Sequence, residues 1–214
     1  MALAASKREW LNTIAPLIAR EGKDRGYKIV STVIAQAICE SAWGTSWIAK
    51  DPYYNYFGMK CGGSWKGRSV SAATKEEYTP GTLTSITANF RAYDSMESGV
   101  QGYYDFIDWS RYKNLHDAAD YKEYAQMLKD DGYATSSTYV NTLCKLVEDY
   151  NLTDWDDVEF ISYDISDLDH IPVYGEHSDT VKVWQYLVGL RGSQVDGKFG
   201  PITQNATSTA MKFK

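Results

Sequence analysis

The run Ile29-Val30-Ser31-Thr32-Val33-Ile34-Ala35-Gln36-Ala37-Ile38-Cys39-Glu40, followed by Ser41-Ala42-Trp43-Gly44-Thr45-Ser46, decides the fold. Its apolar spacing predicts an amphipathic helix with one apolar face. At about 3.6 residues per turn, Glu40 falls on the stripe that carries Ile29, Val33 and Ala37, so a carboxylate ends an apolar helix. Desolvation disfavours the charged form of such a group and suits it to donate a proton near neutral pH. A Glu at a helix end can equally reach solvent past Trp43, and its surroundings decide between the two.

Outward from this helix, residues 7–21, 28–40, 95–109, 120–130 and 137–150 carry apolar side chains at three- and four-residue spacing and read as helices. The pattern breaks between Tyr56 and Tyr93. Glycines 58, 62, 63, 67 and 81 divide that stretch, and 69–71 and 84–90 alternate as short strands do. The expected class is α+β, a mainly helical body with a small β lobe and a cleft between them. Residues 153–172 are acidic and irregular and read as a linker. Beyond it, 181–188 and 203–213 read as two short helices around the tight turn Val195-Asp196-Gly197-Lys198-Phe199-Gly200. The expected layout is therefore a domain over 1–152, a linker over 153–172 and a small module over 173–214.

The chain has 214 residues, enough for one ordinary domain and a small second one. Its net charge of -6 argues against nucleic acid as a partner, which calls for a basic stripe. No apolar run is long enough to span a bilayer. Residues 1–10 lack a basic start followed by an apolar stretch, so no signal peptide is read there. Cys39, Cys61 and Cys144 make an odd set without framework spacing, and Cys39 and Cys144, in apolar helical runs, are expected to be buried free thiols. The only histidines are His116, His170 and His177, too scattered for a zinc centre, and no Cys–His arrangement stands out, so neither metal nor cofactor is expected. Aromatics, at 14%, suit the stacking faces of sugars.

Five segments carry a family resemblance: the string around Glu40, Asn55-Tyr56-Phe57-Gly58-Met59-Lys60, Thr74-Lys75-Glu76-Glu77-Tyr78, Phe90-Arg91-Ala92-Tyr93-Asp94-Ser95 and Asp131-Gly132-Tyr133-Ala134-Thr135. In this order and spacing the chain resembles, over nearly all of 7–152, the glucosaminidases of glycoside hydrolase family 73, which include flagellar and autolysin enzymes. The resemblance implies a lysozyme-like fold and hydrolysis of the β-1,4 bond between N-acetylglucosamine and N-acetylmuramic acid in peptidoglycan glycan strands. It gives Glu40 the place of the general acid and Glu77 that of the second carboxylate. The family pattern there is Thr-x-Glu-Tyr and this sequence departs from it by one residue, which leaves Glu76 as the alternative. Tyr133 resembles the cleft tyrosine that bonds the substrate's N-acetyl group. Asn55, Phe57, Trp43 and Tyr139 are expected to line the sugar site, with Trp47 a further aromatic candidate.

Residues from 173 onward resemble a peptidoglycan-binding module, with Trp184, Asp196 and Phe199 as wall-contact candidates. The whole would then act at the bacterial wall as an endolysin, released through a pore, or as an autolysin shorn of its leader. Muramidase or lytic transglycosylase chemistry on the same fold is the neighbouring alternative. A non-catalytic wall-binding protein would lack the acid at position 40.

Overall fold

A computed structural model describes residues 3–79, 82–158, 168, 170–190 and 194–210 of the chain, with the backbone alone at 75–79, 82–83 and 209–210. It divides into two compact units, Met1–Asp157 and Val158–Lys214.

In the first unit, helix α1 (Ala5–Asp24) leads to α2 (Ser31–Ser41), and every residue of α2 from Ser31 to Ile38 is buried. An apolar sequence on all sides of a helix has one stable location, the middle of a core. Around it stand α1, α4 (Tyr121–Asp130) and α5 (Tyr139–Tyr150), and α3 (Met96–Ile107) packs on α1. Ile14, Ile18, Ile34, Ile38, Ile107, Leu128 and Leu143 join in one cluster. Five tyrosines are among its largest fully buried side chains. Polar tips inside a core need partners. Tyr104 Oη donates to Ile18 O at 3.0 Å, and Tyr27 Oη to Asp108 Oδ1 at 2.9 Å.

The expected helices are all present, within a few residues of their expected bounds. Two are stopped at their N-termini by local side chains: Ser95 and Ser98 form a reciprocal capping box on α3, and Asp120 Oδ1 accepts from Lys122 N and Glu123 N at 2.8 and 2.9 Å on α4. Helix α2 has no such local cap. Its first amides are held instead by Asp156, whose Oδ1 accepts from Val30 N at 2.7 Å and Ser31 N at 2.8 Å. Thr153 to Asp157, read from composition as the start of the linker, are thus folded onto the first unit, with Leu152–Trp155 forming a 3-10 turn.

The β lobe is one antiparallel hairpin, β1 (Ser69–Thr79) and β2 (Thr82–Arg91), longer than the short strands expected. Val70 pairs with Phe90 and Ala72 with Ala88, and these side chains close on Ile48 as a small separate core. The hairpin continues through polar residues that carry little apolar alternation, which is why the strand pattern faded early. Glu76 and Glu77 lie on β1 opposite Thr84 and Leu83, and their side chains fall outside the described residues.

The second unit holds α6 (Asp179–Leu187) and α7 (Pro201–Ala210). Buried Gln185 is its hub: Nε2 donates to Asp196 Oδ1 and Thr203 Oγ1, each at 2.8 Å, and Oε1 accepts from Gly197 N at 2.9 Å. Trp184 Nε1 donates to Thr207 Oγ1 at 2.9 Å, which joins α6 to α7.

Candidate active site

Glu40 sits one residue before the end of α2. The chain then turns sharply: Ala42, Trp43 and Gly44 take φ of 49°, 61° and 69°. Left-handed backbone is costly for Ala and Trp, and the segment is pinned by Trp43 N to Ile38 O at 3.0 Å and Gly44 N to Ser41 Oγ at 2.7 Å. A Cβ at Gly44 would strike Trp10 Nε1 at 2.1 Å, so only glycine fits there. This abrupt stop leaves Glu40 half-buried on the floor of a cleft of about 1010 Å³.

A chain of hydrogen bonds fixes the carboxylate. Tyr103 Oη donates to Gln36 Oε1, Gln36 Nε2 donates to Tyr139 Oη at 3.0 Å, and Tyr139 Oη donates to Glu40 Oε1 at 3.2 Å. Gln36 lies one turn before Glu40, so the buried helix supplies both the acid and the group that orients its tyrosine. Opposite, Gly58 at φ +60° brings its backbone close: a Cβ there would lie 3.3 Å from Glu40 Oε2. Tyr133 Oη donates to Phe57 O at 3.1 Å and thereby holds the loop that carries Gly58. Burial, reinforced by the charge of Glu40, raises the Tyr133 and Tyr139 hydroxyls well above their ordinary range, so both stay protonated donors.

Of the residues expected here, Glu40, Phe57, Tyr133 and Tyr139 line the cleft, and two expectations are corrected. Trp43 is absent from the cleft lining. Its ring packs edge-on against Tyr150 at 4.7 Å and Trp10 at 6.2 Å, because the left-handed turn swings it onto α1 and α5. Asn55, 1% exposed, is a structural clamp: its Nδ2 donates to Met59 O and Arg91 O at 2.9 and 2.8 Å, and its Oδ1 accepts from Met59 N at 2.9 Å. Its hydrogen bonds tie the Gly58 loop to β2 and leave it away from sugar.

Cys39, expected to be buried, is exposed at the cleft, and Cys144 is only half-buried. The cleft walls still strip water from the Cys39 thiol, which with the adjacent Glu40 charge pushes it up to about 11. Trp47 and Trp109, 51% and 50% exposed, flank the groove as open aromatic faces. Trp109, like Arg91 and Arg111 in the same lining, was not singled out in the sequence; an aromatic just past a helix end was the available signal.

In the second unit, Trp184, Asp196 and Phe199 are taken up by the fold itself. Asp196 also accepts from Lys198 N at 2.9 Å, and Phe199 is 8% exposed. Among the described residues there is no group of three or more His, Cys, Asp or Glu able to hold a metal ion, and no helix is long and apolar enough to cross a membrane.

A buried helix delivers an oriented carboxylate into a groove flanked by open tryptophans, an arrangement that can hold a sugar chain beside an acid. Comparison with known proteins narrows this. Residues 15–152 match the glucosaminidase model, described as mannosyl-glycoprotein endo-beta-N-acetylglucosaminidase, and the chain belongs to that family. It is 36% identical over 141 residues to exo-glucosaminidase LytG of Bacillus subtilis, covering 63% of this chain and 49% of that protein. It is 36% identical over 120 residues to the peptidoglycan hydrolase FlgJ of Escherichia coli K12, covering 54% of this chain and 38% of that protein. The chain thus spans less than half the length of both relatives. Among solved structures it resembles the catalytic domain of the autolysin Auto from Listeria monocytogenes, with a TM-score of 0.60 and 32% identity over 72% of this chain and 90% of that one.

Proposed function

We propose that this protein hydrolyses bacterial peptidoglycan at the β-1,4 bond between N-acetylglucosamine and N-acetylmuramic acid, with Glu40 as general acid. The supporting observation is the bond from Tyr139 to Glu40 Oε1 within a cleft of about 1010 Å³ flanked by Trp47 and Trp109. Glu40 gives its proton to the glycosidic oxygen as the bond to the anomeric carbon breaks. A water attacks that carbon and loses its proton to a second carboxylate, assigned to Glu77 with Glu76 the alternative. Tyr133 lines the same cleft as Glu40 and is assigned to the substrate's N-acetyl group, while Trp47 and Trp109 offer faces for sugar rings.

The test is Glu40→Gln on purified walls. The variant is expected to bind walls as the parent does and to release no reducing sugar; undiminished release removes the assignment. Mass spectrometry of the parent's products should give reducing-end N-acetylglucosamine. Reducing-end or anhydro N-acetylmuramic acid would instead indicate a muramidase or a transglycosylase.

The second unit is assigned to anchoring at the wall, which raises the effective concentration of the cleft at its substrate. Because Phe199 is buried and Trp184 and Asp196 are engaged in hydrogen bonds within the unit, the contact is assigned to outward side chains such as Tyr174 and Ile202, 60% and 61% exposed.

A further inference from the structure

Among the described side chains, the charged groups lining the cleft are mostly cationic, in a chain that is acidic overall. The sequence carries 28 acidic against 22 basic residues, yet the described side chains lining the cleft include Lys60, Arg91 and Arg111 against Glu40 as the single carboxylate. Cutting a neutral sugar chain calls for an acid, a base and stacking faces, and not for guanidinium groups.

Arg91 is the most telling of the three. It is 7% exposed, and burying a cation is expensive unless it is paired. Its Nε donates to Lys60 O at 3.1 Å, and its guanidinium lies 4.7 Å from the centre of the Trp65 ring and 5.5 Å from that of Phe106. Among the described residues no carboxylate stands within ion-pair distance of Arg91 or Arg111. Arg111 is exposed at the same groove, and the ring of its neighbour Tyr112 lies 5.3 Å from that of Phe106, which Arg91 also approaches. Arg91 and Arg111 both line the groove, and a guanidinium can hold a planar anion through paired N–H donors.

We infer that Arg91 and Arg111 read a carboxylate carried by the glycan, so that the cleft selects anionic strands over neutral ones. This rests on the hydrolase reading above and specifies which strands it prefers. The carboxylate can belong to the lactyl ether of the sugar or to an attached peptide, and a substrate series separates these sources.

Walls are freed of phosphate-bearing polymers and offered in three forms: intact, stripped of peptide so that only the sugar carboxylate remains, and with all carboxyls converted to amides. The parent is expected to lose about tenfold in kcat/KM between intact and amidated strands. Arg111→Gln is expected to lose about tenfold on intact strands and much less on amidated ones, because the interaction it removes is already gone there. Arg91→Lys keeps the charge without the fork and should show the same pattern, with a thermal melt confirming that it folds. Removing the peptide frees the lactyl carboxyl that held it, so stripped strands cut better than amidated ones show that a sugar carboxylate is read, and stripped strands cut like amidated ones assign the peptide. Equal cutting of intact and amidated strands by the parent overturns the inference, as does equal loss on both strands in Arg111→Gln. If the parent cuts no strand at all, the hydrolase reading fails separately. Binding of intact against amidated strands, with and without Arg111→Gln, then decides the role of the arginines.

Discussion

Tyr139 Oη lies 3.2 Å from Glu40 Oε1 and 3.0 Å from Gln36 Nε2, so one hydroxyl joins the carboxylate to the amide one helical turn before it. The amide donates to the tyrosine, which directs the tyrosine's own proton toward Glu40. Replacing Tyr139 with Phe keeps the ring and removes this link. Gln36 Nε2 is then left without its partner in a buried site, a loss of about 1–3 kcal/mol. The carboxylate gains freedom to rotate out of line with the sugar oxygen, and small errors of placement cost rate. Tyr139→Phe is expected to lower kcat on purified walls by about tenfold to a hundredfold with KM little changed, alongside a lowered Tm. Parent-like kcat in a stable variant would show that the tyrosine does not position the acid.

Cys39 offers a probe of the cleft that is independent of turnover. With its thiol pushed up to about 11, the folded state favours the neutral form, so the thiolate stays scarce at neutral pH and grows as pH rises. In a Cys61→Ser/Cys144→Ser background, alkylation by iodoacetamide should accelerate about tenfold per pH unit from 7.5 to 9.5 without levelling off. Soluble glycan should slow it, and the alkylated protein should no longer cut walls, because the thiol lines the cleft beside Glu40. A plateau near pH 8.5, or alkylation indifferent to glycan, contradicts this placement.

Asp156 tests how the buried helix is held. Its carboxylate accepts from Val30 N, Ser31 N and, at 2.6 Å, Ser31 Oγ, and so serves the orphan donors of α2 from the far end of the unit. Asp156→Ala should cost about 1–2 kcal/mol, the usual worth of a lost helix cap, and lower Tm by about 2–8 °C. The loss should appear in thermal melts of the full chain, with kcat at low temperature little changed. An unchanged Tm would mean that α2 needs no cap from this residue.

The parts of this molecule that local pattern could carry were legible in the sequence. The spacing over 28–40 announced a helix with an apolar face, though not its burial on every side, and periodicity placed α3 to α5. Glu40 and Tyr133 were singled out with the help of motif strings and Tyr139 only as one aromatic candidate among several, because nothing in their spacing marks them as neighbours in space. What escaped was set by contacts distant in sequence. Asp156 looked like one acid among many in a linker, Trp43 like an open sugar platform, and Asn55 like a cleft residue. Each owes its position to partners that no local window contains. The hairpin was shortened in the reading because its outer half is polar, so its pairing comes from backbone register rather than from a buried face.

Gly58 and Gly62 separate backbone strain from the placement of the acid. Both take φ +60°, where an alanine costs about 1–2 kcal/mol in either case. They differ in what a side chain would meet. At Gly62 a Cβ has nothing within 4 Å, whereas at Gly58 it would lie 3.3 Å from Glu40 Oε2, tighter than a relaxed contact. The carboxylate would have to give way, and its bond to Tyr139 would lengthen as it did so. The two variants should therefore lose similar stability in denaturant, while Gly58→Ala should fall at least about tenfold further in kcat on walls than Gly62→Ala. Equal kcat in the two would show that the approach of the Gly58 backbone to Glu40 has no part in catalysis.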